Sequence, residues 1–289
     1  MTVPRILLCV TLMRPEEKSI YHALMQRGLG VDVLTDSMAM PKDAADTYDM
    51  AVIRCVSQRA ARERARYLHG MGIKTANTYT AIDVCTDKLT QSLVFSRAGL
   101  QTPAFEIGSG FDSVRAEFPR FPRGMVVKPL SSSWGRGIAL VKTRNELEAW
   151  VAAVESLDAS ARSFPVLLQE FVNKGDSDIR IIIVGATPVV GFRRISDANW
   201  KTNTHTGARI EPFDIHMDVE LNAMARAVVA VLGSGIYGLD ILQDYSTKRY
   251  FVCEVNHNPE FSESSKVHGV DVAGSIADEV IRQLESQDE

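Results

Sequence analysis

The sequence predicts a mixed fold, α/β and α+β, in which a parallel α/β layer over residues 1–85 precedes α+β segments carrying the chemistry. Three observations point there. Apolar strand-like runs alternate with amphipathic stretches at βαβ spacing up to about residue 85. A loop of small residues then separates two short apolar runs, as in an antiparallel pair. Last, residues 236–242 and 249–256 read as two strands of a hairpin, each with polar residues inside an apolar run.

In order, residues 5–12 are expected as a strand, 15–27 as a helix ending at Gly28, and 31–35 as a second strand. Residues 50–56 make a third strand, 59–69 a helix closed by Gly70, and 73–76 a short fourth strand. A dinucleotide-binding domain would place GxGxxG after the first strand, and residues 10–17 contain no glycine. This layer is expected to be a scaffold or a substrate platform. Residues 86–99 read as one helix with Asp87 and Lys88 in its first turn, and Pro103 opens an extended segment. Residues 125–129 form a strand ending in Lys128 and Pro129, and the loop Ser131, Ser132, Ser133, Trp134, Gly135, Arg136, Gly137 follows it. Such a loop folds down on phosphates through its backbone N–H groups, or serves as a long hairpin turn. It is not a P-loop, because GxxxxGK[ST] occurs nowhere.

Residues 144–155 and 219–232 read as helices, and 166–171, 177–184, 187–192 and 209–211 as strands. Residues 271–287 form an amphipathic helix with Val272, Ile276 and Val280 on one stripe. The GxGxxG match at 233–238 follows a helix and precedes a strand, which is the reverse of the binding context. It is taken as a helix cap and turn.

Composition narrows the function. The chain has 289 residues, 45% hydrophobic and 24% charged, with a formal charge of −4, so nothing global suggests nucleic acid. The apolar run at residues 6–10 is too short for a signal or a membrane span, so no membrane partner is expected. Cys9, Cys55, Cys85 and Cys253 are scattered without CxxC spacing, which fits reduced thiols in a cytoplasmic protein.

The late hairpin is the candidate chemical centre. A buried carboxylate is costly unless it is paired or bound to a metal. Glu254 and Asn256 lie two apart and share one strand face, and Asp240 converges with them if it lies across the ladder. Two carboxylates and an amide oxygen suit Mg²⁺ held together with substrate phosphates. The plain alternative is that these residues end strands and face water.

Taken in order, Lys88, Lys128 with its Ser/Gly loop, Gln169–Glu170, Asp240 and Glu254-x-Asn256 resemble an ATP-grasp enzyme over essentially the whole chain. Lys128 through Arg136, Asp178-x-Arg180, Asn199 through Thr204, Glu254 through His257 and His268 through Gly274 resemble the RimK/LysX branch. Its members load an amino acid onto an amino-group carrier protein in lysine and arginine biosynthesis. The chain departs at residues 205–209, where a basic residue and paired glycines are usual in those ligases. Asn258-Pro259 leans toward relatives that add glutamate to a protein C-terminus.

The resemblance implies an ATP-grasp fold with an N-terminal pre-ATP-grasp domain (residues 1–85), a central lobe (86–165) and a C-terminal lobe (166–289). It implies a carboxylate–amine ligase using ATP and two Mg²⁺ ions through an acyl phosphate. Asp240, Glu254 and Asn256 would hold the metal, and Lys88 and Lys128 the α and β phosphates. Ser131–Gly137 would close as a lid, Trp134 capping the site and Arg136 pairing with a phosphate or carboxylate. Adenine would sit against Gln169, Glu170, Phe171 and Val172, with Asp178 and Arg180 near the nucleotide. Arg194, or Arg193 beside it, would meet the transferred phosphoryl group with Asn203.

The expected partners are a small acidic carrier protein or peptide and a small amino acid, in a homo-oligomer, dimer or tetramer. Arg59, Arg62 and Arg66 recur at helical spacing and form a basic face suited to such a carrier. Two alternatives remain at this stage: a glutamate ligase acting on a ribosomal protein tail or free amino acid, and a non-catalytic nucleotide-binding regulator.

Overall fold

The computed structural model describes residues 3–132, 135–158, 162, 164–196, 200, 202, 209–215 and 218–286. Three sheets organise them. The first is parallel and four-stranded, in the order β2-β1-β3-β4, from β1 (Arg5–Val10), β2 (Gly30–Thr35), β3 (Met50–Arg54) and β4 (Lys74–Thr75). Its strands are short and nearly all apolar because both faces are covered. Helices α1 (Pro15–Gln26), α2 (Ala44–Thr47) and α3 (Gln58–Gly70) connect them. Residues 11–12 and 55–56 fall outside the strands where the chain turns toward the next helix.

The helix expected at 86–99 is α5 (Lys88–Arg97), which starts two residues later, and a separate helix that the sequence reading did not anticipate, α4 (Tyr79–Thr86), precedes it. Asp87 stands between them with extended backbone and accepts the Thr90 N–H as N-cap of α5. That break places Lys88 at the first position of α5, where its backbone N–H donates to the Leu130 carbonyl. The first turn of a helix leaves N–H groups without intrahelical partners, so a short polar cap there restarts the helix in a new direction.

The second sheet is antiparallel, in the order β5-β8-β6-β7, from β5 (Phe105–Gly108), β6 (Met125–Pro129), β7 (Ala139–Val141) and β8 (Val166–Glu170). Helices α6 (Phe111–Glu117) and α7 (Arg144–Glu155) cover it, packing around Val114, Leu147 and Val151. Strand β8 pairs with both β5 and β6. On that ground we propose the boundary between the two later lobes after Glu170 rather than at 165.

The third sheet has the order β11-β10-β9-β12-β13, from β9 (Ser177–Gly185), β10 (Thr187–Ile195), β11 (Arg209–Phe213), β12 (Gly235–Gln243) and β13 (Tyr250–Asn256). Helix α8 (Val219–Leu232) packs on one face with α4 and α5. The other face meets the first sheet through α9 (Ser262–His268) and α10 (Val272–Glu285), so one apolar core joins Ile6, Leu8 and Ile20 to Ile182, Ile236 and Ile276. The late GxGxxG match is indeed a helix end: Gly233 caps α8 with φ 84°, which L side chains rarely adopt. Among the described residues no helix is long and apolar enough to cross a membrane.

Candidate active site

The carboxylates of the late hairpin are brought together by register. Asp240 on β12 lies directly across from Glu254 on β13, and Gly238 across from Asn256. On the other flank Asp240 faces Arg180 of β9, while Asp178 of β9 faces Arg194 of β10. One sheet face therefore carries a charged row across β10, β9, β12 and β13, with two strands on one side of Asp240 and the edge strand on the other. A bulge after Asp240 leaves Cys253 as the extra residue on β13, which is why Cys253 and Glu254 both reach the same cleft.

The row is cross-linked by charge. Both Arg180 nitrogens that meet Asp240 do so at 2.6 Å, and Arg194 reaches Asp240 at 3.0 Å and Asp178 at 2.7 Å. Lys88 stands 3.1 Å from Glu254 and donates to the Ser132 carbonyl at 2.7 Å. Burial alone would raise the Asp240 carboxyl, and the Arg180 and Arg194 guanidiniums outweigh it and hold it below the ordinary carboxylate range. Burial opposes the charge on Arg194 too, and Asp178 and Asp240 overcome it, so its pKa is raised. The Asp240 carboxylate thus stays charged and already attracts cations.

Parity along β10 separates the two candidate arginines. Arg194 is buried in the row, whereas Arg193 projects from the opposite face with its guanidinium 6.0 Å from the Phe213 ring centre. Arg193 is thereby removed from the expected site. Asn203, Ser133 and Trp134 lie outside the described residues.

Two adjoining pockets meet at Asp240, Glu254 and Arg194. The first is walled by Lys128, Gln169, Phe171 and Val172, as expected for the nucleotide side. Lys128 donates to the Gln169 amide oxygen and lies 3.7 Å from the Cys253 sulfur. Glu170 also lines this pocket, and its side chain pairs with Arg123 at 3.0 Å. The Glu170 and Phe171 amides donate to Ala104 and Gly124, so neither is held open for a base. Asp178 and Arg180 line the two pockets while pairing within the row, Asp178 with Arg194 and Thr202 and Arg180 with Asp240. Ser131 and Arg136 are exposed, and Gly135 and Gly137 turn with φ 67° and 71°.

Sequence reasoning missed Lys174, Trp200, Thr202 and Leu242, which also line this pocket. Lys174 donates to Thr202 at 3.0 Å, and burial lowers its pKa. Lys174 belongs to no spaced pattern, so only the fold could find it, whereas Trp200 and Thr202 fall in the 199–204 stretch that carries the resemblance, without a site role read from the sequence. Cys253 lies in an apolar run, and only the bulge beside Asp240 brings it to the cleft.

The second pocket lies between the first sheet and the turn after β13, lined among others by Arg14, Cys55, His257, Asn258 and Glu260. Five hydrogen bonds or ion pairs bind that turn to the N-terminal layer, including Asn258 to the Cys55 carbonyl at 3.0 Å and Arg54 to the Pro259 carbonyl at 2.9 Å. His257 is buried there, and burial first, then Arg54, lowers its pKa to about 4.

The donor set fits Mg²⁺. Asp240, Glu254 and Asn256 offer hard oxygens, and among the described residues no larger His/Cys/Asp/Glu cluster competes with them. Three protein ligands leave the remaining positions to phosphate oxygens and water.

Comparison with known proteins shows the family. Residues 85–280 match the RimK-like ATP-grasp domain, and residues 6–84 match the LysX preATP-grasp domain. The chain is 30% identical to an alpha-aminoadipate–LysW ligase LysX of Sulfurisphaera tokodaii, covering 82% of this chain and 80% of that one. It is 27% identical to a glutamate–LysW ligase ArgX of Sulfolobus acidocaldarius, over 94% and 96% of the two chains. A RimK domain ATP-grasp protein from Sphaerobacter thermophilus superposes with a TM-score of 0.77 at 24% identity, covering 95% and 98%. Enzymes with this fold use ATP and Mg²⁺, and the charged row of the third sheet lies inside the matched region. The chain belongs to the RimK-like ATP-grasp family, with a LysX-type pre-ATP-grasp domain ahead of the matched domain.

Proposed function

We propose that this ATP-grasp ligase joins a small amino acid to the terminal glutamate of a small acidic carrier protein or peptide, in the cytoplasm. The observation that carries this reading is the meeting of a nucleotide-side pocket and a second pocket at Asp240, Glu254 and Arg194. The names of the LysX and ArgX relatives supply the substrate class.

In the proposed reaction a substrate carboxylate oxygen attacks the γ-phosphorus of ATP, and ADP leaves. The amine nitrogen then attacks the acyl carbon, the C–O bond to phosphate breaks, the amide forms and the nitrogen gives up a proton. Two Mg²⁺ ions held by Asp240, Glu254 and Asn256 would neutralise and align the phosphates. Lys88 and Lys128 hold phosphates as point charges, and Lys88 also ties the loop at Ser132 to that end of the cleft. Arg194, fixed by two carboxylates, meets the transferred phosphoryl group, and Asn203 is proposed to contribute to the same step. Ser131–Gly137 excludes water from the acyl phosphate, which hydrolysis would otherwise waste.

The direct test is ADP release with ATP, Mg²⁺, a carrier or peptide ending in glutamate, and an amino acid, omitting each in turn. Release that needs all four supports the proposal. Release with amino acids alone assigns the enzyme to free-amino-acid ligases.

Helix α3 supplies a docking test. Arg59 is exposed, while Arg62 and Arg66 share Glu63 at 3.6 Å each and Arg62 lies 3.9 Å from Asp83. Arg64 turns inward to the Leu34 and Thr35 carbonyls. Reversing Arg62 and Arg66 to Glu should raise the Michaelis constant for the carrier by about tenfold at low salt and hardly change that for ATP. Equal constants for wild type and variant would leave the α3 face without a role.

A further inference from the structure

The second pocket contains a charge pair that the phosphoryl chemistry does not use. Four cations line it among the described residues: Lys88, Arg180, Arg194 and Arg14. The first three are engaged with Glu254, Asp240 and Asp178 at the metal-side end. Arg14 lies at the other end, just before α1, and approaches Glu260 at 3.3 Å from the turn after β13.

This arginine is held in place from behind. Its Nε and Nη2 meet the two carboxylate oxygens of Glu17 at 3.0 and 2.8 Å, a fork that fixes the guanidinium plane. Glu17 is fully buried and is itself anchored by Arg54 at 3.1 Å. Arg54 in turn donates to the Pro259 carbonyl, next to Glu260. The Arg14 side chain keeps 17% exposure and Glu260 35%, so both still present surface while their supports do not.

An acid and a base fixed side by side at one end of a pocket complement a molecule that carries both charges on neighbouring atoms. We infer that Arg14 and Glu260 recognise the amine substrate as a zwitterionic α-amino acid, its carboxylate on Arg14 and its ammonium on Glu260. This rests on the ligase proposed above and names the recognition groups for its amine substrate. Binding exchanges the Arg14–Glu260 contact for two contacts to the ligand, so little net charge is stranded in the pocket. A simple amine would satisfy Glu260 and leave Arg14 without a new partner. Sites that hydrogen-bond a substrate group reject analogues lacking it because their own polar groups are then left unpaired.

The test compares amino acids with their decarboxylated amines: L-glutamate against γ-aminobutyrate, and L-alanine against ethylamine. ADP release is followed at saturating ATP, Mg²⁺ and a peptide ending in glutamate. Wild type should prefer the amino acid in kcat/KM by about 100-fold or more in at least one pair. Arg14→Met should collapse that preference at least tenfold, Arg14→Lys should restore part of it, and Glu260→Gln should weaken amine and amino acid together while the preference survives. The ATP/Mg²⁺ melting shift of each variant serves as a fold control. A preference unchanged in Arg14→Met, or an equal loss for both members of a pair, overturns the inference and makes the pair a strut between the layers. Absence of any ADP release in wild type would instead overturn the ligase proposal, and this inference with it.

Discussion

Glu254→Gln lowers ADP release by roughly 10²- to 10³-fold while the protein keeps its fold. Glu254 is the cleaner of the two carboxylates to remove, because Lys88 is its ion-pair partner and its side chain is 21% exposed. Asp240→Asn is expected to cost as much activity and more stability. Arg180 would lose its carboxylate partner in a buried setting, and removing one member of such a pair costs about 3–5 kcal/mol. The melting shift produced by ATP/Mg²⁺ separates the two effects, since a ligand bound only by the native state raises stability. Both variants should lose most of that shift. Full nucleotide-induced stabilisation in both would remove the metal site from this hairpin.

Arg194→Lys is the second large effect. The guanidinium bridges Asp178 and Asp240, and Thr202 donates a further hydrogen bond to Asp178. A lysine keeps the charge but cannot span two carboxylates with a planar fork. A loss of kcat of about 10²-fold is expected with the Michaelis constant for ATP nearly unchanged, because the group acts where charge develops in the transition state. Asp178→Asn should reproduce part of the loss by loosening Arg194. A rise in the ATP constant at constant kcat would move Arg194 from transition-state stabilisation to ground-state binding.

The sequence alone determined the late hairpin, because strand periodicity is local: Asp240, Glu254 and Asn256 stand out as polar residues within apolar runs. It also determined the parallel first layer and the helices 144–155 and 219–232, whose caps at Thr143 and Asp218 are local side-chain effects. Only the tertiary structure decided what depends on register and on distant chain. The helix at 79–86 and its break from the next one at Asp87 were not anticipated, and tertiary contacts of Lys88 with Leu130 and Ser132 accompany that break. The choice of Arg194 over Arg193 needed the strand's facing, and the exposure of Cys253 needed a bulge that no composition signals. Arg14, Lys174 and Glu260 were invisible for a simpler reason. Each gains its meaning from a partner far along the chain or in another layer, as Arg14 and Glu260 do across 246 positions.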